Sequence, residues 1–156
     1  GEMRARGLEL EGRATLPWDM AVIFTGTRSA AKITESNTAS QIGNYMPQAP
    51  KWMASLFVDQ RLLHGPMRGA GFGGGVRYTG HSYGDTANTL SIPGYTLYDM
   101  FLRYDFGVAR PRYNGLSFSL NMRNIANKRV VATCTAVLGC YYGQGRSRTM
   151  RLEYRW

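Results

Sequence analysis

At 156 residues, the chain is long enough to form one domain with a buried core. No stretch approaches the roughly 20 consecutive apolar residues that a transmembrane helix needs. The negative mean hydropathy still allows membrane strands, because these turn only alternate residues to lipid. The net charge of +9 is spread along the chain instead of forming one basic run, which argues against nucleic acid as a partner.

Apolar and polar residues alternate along seven segments, and a repeat of two residues is the repeat of a β-strand. The predicted strands lie at about 7–16, 19–28, 52–63, 70–82, 95–106, 116–123 and 146–156. In the first of them, Leu8 and Leu10 share one face, and Glu9 and Glu11 share the other. The sequence therefore predicts an all-β protein whose strands have one apolar and one polar face.

The last predicted strand shows this alternation without interruption. Tyr154 and Trp156 point to one side, while Arg151, Glu153 and Arg155 point to the other. Such a charged face does not belong inside a protein core, so one face must meet an apolar medium and the other must meet water. In a soluble sheet that medium is a core, and in an outer-membrane barrel it is lipid.

The connections between the predicted strands alternate in length. Short turns lie at about 17–19, 64–69 and 109–115, and long polar loops lie at about 29–50, 83–93 and 125–145. Aromatic residues stand near strand ends, where interfacial girdles lie in barrels: Trp18, Trp52, Tyr78, Tyr98, Tyr104 and Trp156. Short turns on one side and long loops on the other are typical of outer-membrane barrels. The pattern favours a transmembrane antiparallel β-barrel over a soluble sandwich.

Seven strands do not make a complete barrel of this kind. Single-chain bacterial barrels have an even number of strands, eight or more, and an open sheet would leave two bare edges in lipid. The first residues, 1–7, contain no apolar leader segment. We therefore expect the chain to be the C-terminal portion of a larger barrel whose missing part is N-terminal.

Catalytic and metal-binding patterns are not recognisable in the chain. His64 and His81 are isolated from each other, and no nucleophile and base can be paired by their spacing. The segment 69–74 fits G-x-G-x-x-G, but a predicted strand follows it instead of a helix, so it is not a phosphate cradle. We expect its glycines to let the strand bend. The sequence predicts no enzymatic activity and no metal site.

Seven motifs in the chain carry a family resemblance. They are Gly7-Leu-Glu-Leu-Glu-Gly-Arg13, Pro47-Gln-Ala-Pro-Lys-Trp-Met-Ala-Ser-Leu56, Gly75-Val-Arg-Tyr-Thr-Gly80, Tyr83-Gly-Asp-Thr-Ala-Asn88, Pro93-Gly-Tyr-Thr-Leu-Tyr-Asp99, Leu120-Asn-Met-Arg-Asn-Ile-Ala-Asn-Lys128 and Cys134-Thr-Ala-Val-Leu-Gly-Cys-Tyr-Tyr-Gly-Gln-Gly-Arg146. With them the chain resembles the C-terminal part of TonB-dependent siderophore receptors of the ferrichrome and hydroxamate type. The resemblance spans nearly the whole chain, with a small departure at Ile125 and Ala126.

The resemblance implies roughly the last seven strands of a plugged 22-stranded barrel in the bacterial outer membrane. Residues 1–156 would then be barrel wall, with the plug domain absent from the chain. The whole receptor would import a ferric siderophore, with hydroxamates as the expected class, as cargo and not as a bound cofactor. Its expected partners are membrane lipid, TonB through the missing N-terminal region, and the barrel-assembly machinery, which would read Tyr154 and Trp156 as a signal.

The resemblance also places the three long loops outside the cell, and candidate site residues follow from that. Cys134 and Cys140 are expected to form a disulfide that stabilises the last loop by roughly 2 kcal/mol. Tyr141 and Tyr142 are candidate siderophore contacts, because tyrosine offers a ring to methylenes and a hydroxyl to carbonyl oxygens; the alternative is a place in the aromatic girdle. Weaker candidates for ligand contact are Tyr83, His81 and Trp52.

Two other classes of protein compete with the barrel. One is a small soluble β-sheet binding module, and the other is a soluble RNA-binding sheet with salt-dependent affinity. Both predict a chain that is soluble in water. The barrel predicts that the isolated chain aggregates, because its apolar face and its sheet edges are unprotected.

Overall fold

The computed structural model describes residues 1–135 and 139–156. Its strands are β1 (Glu2–Leu16), β2 (Met20–Glu35), β3 (Trp52–Arg61), β4 (Ala70–Thr79), β5 (Ser82–Tyr83), β6 (Ser91–Ile92), β7 (Tyr95–Asp105), β8 (Leu116–Arg123), β9 (Val131–Thr135), β10 (Gly139–Tyr142) and β11 (Ser147–Tyr154). Helical segments are the short α1 (Phe106–Ala109) and the 3-10 turns Pro17–Asp19, Ala39–Gln41 and Pro111–Tyr113. Across the described ranges, no helix has the length and hydropathy needed to cross a membrane.

Seven strands form one antiparallel sheet in the order β1-β2-β3-β4-β7-β8-β11, which we call the wall. The wall confirms the seven strands predicted from the alternation of residues. Strands β5 and β6 form a separate hairpin, and so do β9 and β10. Neighbouring wall strands are joined alternately by short turns and by long connections: the first connection (36–51), the second (80–94) and the third (124–146, of which 136–138 lie outside the described residues).

The first two strands are longer than the sequence predicts. Strand β1 begins at Glu2 instead of residue 7, and β2 continues to Glu35 instead of ending at residue 28. Their ladder extends through pairs such as Arg4 with Lys32 and Ala5 with Ala31. Alternation does not reveal this part, because neither face is consistently apolar there. The predicted loop at 29–50 therefore loses its first residues to the sheet.

One face of the wall, the outer face, carries the apolar side chains. Phe24 lies opposite Leu56, Leu56 opposite Val76, and Val76 opposite Tyr98, so the apolar stripe crosses neighbouring strands in register. No second layer covers this stripe within the described residues, and Leu152 remains 70% exposed. An uncovered apolar face that spans a whole sheet is a surface for a non-aqueous medium.

The other face, the inner face, is polar and its charges are paired. Arg77 in β4 donates to both carboxylate oxygens of Asp99 in β7, at 2.6 and 3.0 Å. Arg103 forms a second ion pair with Asp59. These cross-strand pairs link β3, β4 and β7 across the inner face.

Glycines in β4 have a role besides the predicted bend, which stays a prediction. Gly73 and Gly75 lie on the inner face, where the rings of Phe101 and Phe57 lie across them. A Cβ atom on either glycine would overlap these rings, and on Gly73 it would also overlap the carbonyl oxygen of Val58. The glycine-rich strand therefore makes room for large side chains from its two neighbours.

The buried core lies at one end of the wall, among the three long connections. The most deeply buried side chains of the described residues are Ile33, Ser82, Ile92, Leu97, Asn124, Val130 and Cys134. They belong to the three connections or to the strand ends that enter them. We call the three connections together the loop cluster.

Candidate functional site

The first and second connections are joined by hydrogen bonds that fix their relative position. The side-chain amide of Asn88 accepts from the backbone N–H of Tyr45 at 2.8 Å and donates to the carbonyl of Tyr45 at 2.8 Å. The N–H of Gln48 donates to the carbonyl of Tyr83 at 2.7 Å. Asn88 thus pairs with Tyr45 as a neighbouring strand would, and the two connections form one layer.

Asp85 stabilises the tip of the second connection. Its carboxylate accepts from the hydroxyl of Thr89 at 2.6 Å and from the backbone N–H of Leu90 at 2.8 Å. The hydrogen bond from Thr89, followed by that from the Leu90 backbone, holds the pKa of Asp85 below its ordinary value. The charged form of Asp85 is therefore the form that this loop conformation favours.

Aromatic rings and lysines gather on one side of this layer. The Lys51 ammonium lies 3.8 Å from the ring centre of Tyr45 and 5.2 Å from that of Tyr83. The His81 ring meets the Tyr83 ring edge-on at 4.6 Å between centres, and its Nε2 lies 2.8 Å from the hydroxyl of Ser91. The rings of Tyr45 and Tyr83 therefore make cation–π contacts with the Lys51 ammonium, and the His81 ring packs against Tyr83.

Strand register shows that this side continues the outer face. Ala54 pairs with Gly26 on the outer face, and two residues further along Trp52 pairs with Arg28 on the same face. The Arg28 guanidinium lies 5.1 Å from the ring centre of Trp52. Tyr45 bridges Lys32, which stands four residues after Arg28 on the same face of β2. Register therefore places the predicted ligand contact Trp52 on the outer face, and ring contacts place Tyr83 beside Tyr45 and His81 beside Tyr83. Contact of these three residues with a ligand stays a prediction, and an outer-face position does not favour it.

The third connection contains the disulfide. Cys134 in β9 lies opposite Cys140 in β10, and the structure joins their sulfurs with the Cα atoms 4.0 Å apart. Cys134 is 2% exposed, and the backbone near it packs close to Gly84 of the second connection. The predicted disulfide is confirmed. It holds the β9–β10 hairpin closed where this hairpin packs on the rest of the loop cluster.

Asn124 anchors the third connection to the inner face. Its backbone N–H donates to Asp99 at 2.9 Å, and its side-chain amide donates to the carbonyls of Lys128 and Gln144 at 2.9 and 3.2 Å. The side-chain oxygen Oδ1 of Asn124 accepts from the backbone N–H of Lys128 at 2.8 Å. Because Asp99 also holds Arg77, one carboxylate links the wall, an arginine and the loop.

Two clefts that share Gly143 and Gly145 lie at the third connection, and only the first also has wall residues of the inner face in its lining. We call the two together the inner cleft. The first has a volume of about 240 Å³ and is lined by Arg77, Tyr95, Leu97, Arg123, Asn124, Val130, Ala132, Gly143, Gln144 and Gly145. The second has a volume of about 440 Å³ and is lined by Asn127, Arg129, Tyr142, Gly143 and Gly145. The first volume lies below the usual range of small-molecule sites, about 300–1,000 Å³, and the second lies in its lower part.

The lining of the inner cleft consists of hydrogen-bond donors and apolar surface. Arg77, Arg123 and Arg129 supply guanidinium groups, and no carboxylate is among the lining residues. Such a surface suits a ligand rich in acceptor oxygens. Throughout the described ranges, no three His, Cys, Asp or Glu side chains gather closely enough to hold a metal ion.

Of the two predicted tyrosines, Tyr142 lines the inner cleft and Tyr141 does not. Both are exposed, Tyr141 by 51% and Tyr142 by 77%. Sequence reasoning did not single out Arg77 or Arg123 as site residues, although both lie within the motifs that carry the family resemblance. The alternation of residues along β4 and β8 places both arginines on the inner face. It does not show that the third connection packs beside them.

Comparison with known proteins agrees with this architecture. The chain matches the family model described as TonB dependent receptor-like, beta-barrel, over residues 1–125. It is 38% identical over 156 residues to the ferrichrome outer membrane transporter/phage receptor of Escherichia coli (strain K12), covering 100% of the chain and 20% of that protein. It is 36% identical over 154 residues to the ferrioxamine receptor of Yersinia enterocolitica, covering 99% of the chain and 21% of that receptor.

The fold is also that of solved receptors. The structure superposes on BauA, the ferric preacinetobactin receptor from Acinetobacter baumannii, with a TM-score of 0.82 at 20% sequence identity, over 97% of the chain and 22% of that receptor. The chain thus spans about a fifth of the length of the curated relatives above, with 20% and 21% covered. The chain belongs to the TonB-dependent receptor β-barrel family, and its open seven-stranded sheet is a segment of an outer-membrane barrel wall.

Proposed function

We propose that this chain forms part of a receptor that carries ferric siderophores across the outer membrane with energy from TonB. The relatives with the highest identity named above are a ferrichrome transporter and a ferrioxamine receptor, and these names support hydroxamate siderophores as the cargo class. The family consists of receptors and transporters, and we propose no catalytic step for this chain. The exposed outer face and the family membership speak against the small soluble binding module and the RNA-binding sheet.

The observation that carries the proposal for this chain's own role is the inner cleft. A ferric hydroxamate presents carbonyl and hydroxamate oxygens together with methylene groups. Arg123 and Arg129 offer donors to such oxygens, and Tyr142 offers both a ring and a hydroxyl. The cleft lies on the inner face of the wall beneath an external loop, which is where cargo passing through a barrel meets the wall. We propose that Tyr142 contacts the ligand, with Tyr141 beside it on β10.

Transport by the whole receptor is tested in cells. The full-length receptor containing this chain is expressed in a host that lacks its own hydroxamate receptors, and uptake of radioactive iron from ferrichrome and ferrioxamine B is measured. We expect uptake of at least one of them, and loss of that uptake in a host without TonB. Uptake of a ferric catecholate alone would contradict the cargo class, and uptake independent of TonB would contradict the energy source.

The role of the inner cleft is tested with a matched pair of variants. Arg123→Gln removes a donor from the cleft, and Arg151→Gln removes an arginine from β11, outside the residues that line the cleft. We expect the dissociation constant for the ferric hydroxamate to rise about tenfold in the first variant, as for loss of a hydrogen bond from a charged group. Equal affinities in the two variants would contradict ligand contact at the cleft.

The end of the wall supports a separate proposal for assembly. Tyr154 and Trp156 lie on the outer face at the terminal edge, with their ring centres 6.5 Å apart and with Trp156 fully exposed. We propose that the barrel-assembly machinery reads these two rings as a signal. Replacing Trp156 by Ser should lower the amount of receptor in the outer membrane, while Trp18→Ser, at a turn, should leave that amount unchanged.

A further inference from the structure

A second groove lies at the opposite end of the wall from the loop cluster. It has a volume of about 350 Å³ and is lined by Tyr104, Phe106, Ala109, Arg110, Tyr113 and Leu116. Helix α1 and the 3-10 turn Pro111–Tyr113 form its far side. The rings of Tyr104 and Phe106 meet edge to face, with 4.8 Å between their centres. We call this site the turn groove.

Strand register places the turn groove at the margin of the lipid-facing surface. Tyr104 lies opposite Phe118 and Leu116 lies opposite Tyr154, and all four belong to the outer face. The groove adjoins the short connection between β7 and β8, and short connections face the periplasm in barrels of this type. The groove is therefore at the level of the headgroups of the inner, periplasmic leaflet, where aromatic residues form a belt.

The charge at the turn groove is positive and unpaired. Arg110 lines the groove, and the guanidinium of Arg112 lies 5.0 Å from the ring centre of Tyr113. Among the described residues, neither arginine has a carboxylate within ion-pair distance. The nearby carboxylate of Asp105 is engaged by the backbone N–H groups of Gly107 and Val108, at 2.9 and 3.2 Å.

We propose that the turn groove binds the headgroup phosphate of an anionic phospholipid of the inner leaflet. Arg110 is the phosphate ligand, because a guanidinium donates two parallel hydrogen bonds to phosphate oxygens. Tyr104 and Leu116 contact the glycerol and the first acyl carbons, which continue along the outer face. No acidic side chain lines the groove, so an ammonium headgroup finds no carboxylate there and meets the like charge of Arg110. The groove therefore prefers phosphatidylglycerol to phosphatidylcholine.

The test uses the full-length receptor that contains this chain, purified in detergent and stripped of lipid. Native mass spectrometry follows the binding of added phosphatidylglycerol and, separately, of phosphatidylcholine. We expect Arg110→Gln to raise the dissociation constant of the first phosphatidylglycerol about tenfold, as for a hydrogen bond to a charged group. Phosphatidylcholine binding should change little.

The matched control is Arg148→Gln, which removes an arginine from the same outer face at the loop end, where Arg148 lies opposite Met122. This variant should bind phosphatidylglycerol as the unmodified receptor does. Equal weakening by Arg148→Gln and Arg110→Gln would overturn the proposal in favour of general attraction by positive charge. Equal affinity of the unmodified receptor for the two lipids would overturn it as well. Siderophore affinity should be unchanged in Arg110→Gln, so this test is independent of the proposed cargo.

Discussion

The wall exposes its apolar side chains, whereas the loop cluster buries them. In the wall, Leu8 is 71% exposed, and the strands are held to one another by ladder hydrogen bonds and by charge pairs on the inner face. In the loop cluster, Cys134 and Ile92 are each 2% exposed. Hydrogen bonds join the first two connections, and a disulfide closes the third. The wall therefore depends on lipid for the apolar contacts that the cluster makes internally.

This difference explains why substitutions should act differently in the two regions. A substitution on the outer face of the wall alters contacts with lipid. A substitution on the inner face alters contacts with the side chains that cross that face. A change in the loop cluster acts on local opening and leaves the barrel intact. Each substitution is made in the full-length receptor that contains this chain.

The largest effect is expected from a charge at the middle of the outer face. Leu56→Arg should lower the free energy of unfolding in lipid vesicles by about 2–4 kcal/mol, because the guanidinium would face the hydrocarbon. The control is Thr27→Arg on the inner face, opposite Glu9, where a cation meets water and a carboxylate. Denaturant unfolding in vesicles measures both. Similar losses for the two variants would contradict the assignment of the faces.

Filling the space above a wall glycine is expected to act next. Gly73→Ala should destabilise the receptor by about 1–3 kcal/mol through overpacking against Phe101 and the carbonyl of Val58. Gly26→Ala is the matched control, because a Cβ there meets nothing within 4 Å. The same unfolding measurement applies. Equal free energies of unfolding for Gly73→Ala and Gly26→Ala would contradict the placement of the Phe101 ring over Gly73.

Removing the disulfide should affect the loop cluster alone. The double substitution of Cys134 and Cys140 by Ser is expected to cost about 2 kcal/mol of local stability in the third connection, since the closed loop is short. Hydrogen exchange and limited proteolysis should report faster opening of β9 and β10. The thermal unfolding of the barrel should stay unchanged, and a fall in that transition would show that wall and cluster are coupled.

Asn88 tests the link between the first two connections. Asn88→Ala should speed hydrogen exchange at the Tyr45 amide, with a loss of about 1–2 kcal/mol for two hydrogen bonds. Asn88 has a φ of 58°, which glycine adopts freely. Asn88→Gly therefore keeps the backbone conformation and removes only the side chain. If the Tyr45 amide exchanged as slowly in both variants as in the unmodified receptor, the role of the Asn88 side-chain amide would be contradicted.

The smallest effect is a pH dependence at Asp85. Its folded-state pKa is lowered by Thr89 and the Leu90 backbone, so its contribution is fully present above the unfolded-state pKa of about 3.9. That contribution is lost as the pH falls through the folded-state pKa. The hydrogen-exchange rate of the Leu90 amide in the unmodified receptor is divided by its rate in Asp85→Asn. We expect this ratio to rise as the pH is lowered below about 4. A difference between the two proteins that does not change with pH would contradict this.

The sequence by itself determined the wall. Uninterrupted alternation, as from Arg146 to Trp156, specifies strands and assigns each side chain to a face, because a repeat of two residues leaves no other choice. Alternating short and long connections then indicate a barrel with two unlike ends. These features are local, so they can be read without knowing which strands meet.

Only the tertiary structure decided the sites. The extension of β2 to Glu35 depends on pairing with β1, and the ring contacts of Tyr83 with Tyr45 and His81 depend on how two connections pack together. The inner cleft arises because Asn124 ties the third connection to Asp99 on another strand, and the turn groove arises where α1 folds beside the wall. Such contacts join residues far apart in the chain through side-chain hydrogen bonds and packing, for which no local repeat exists.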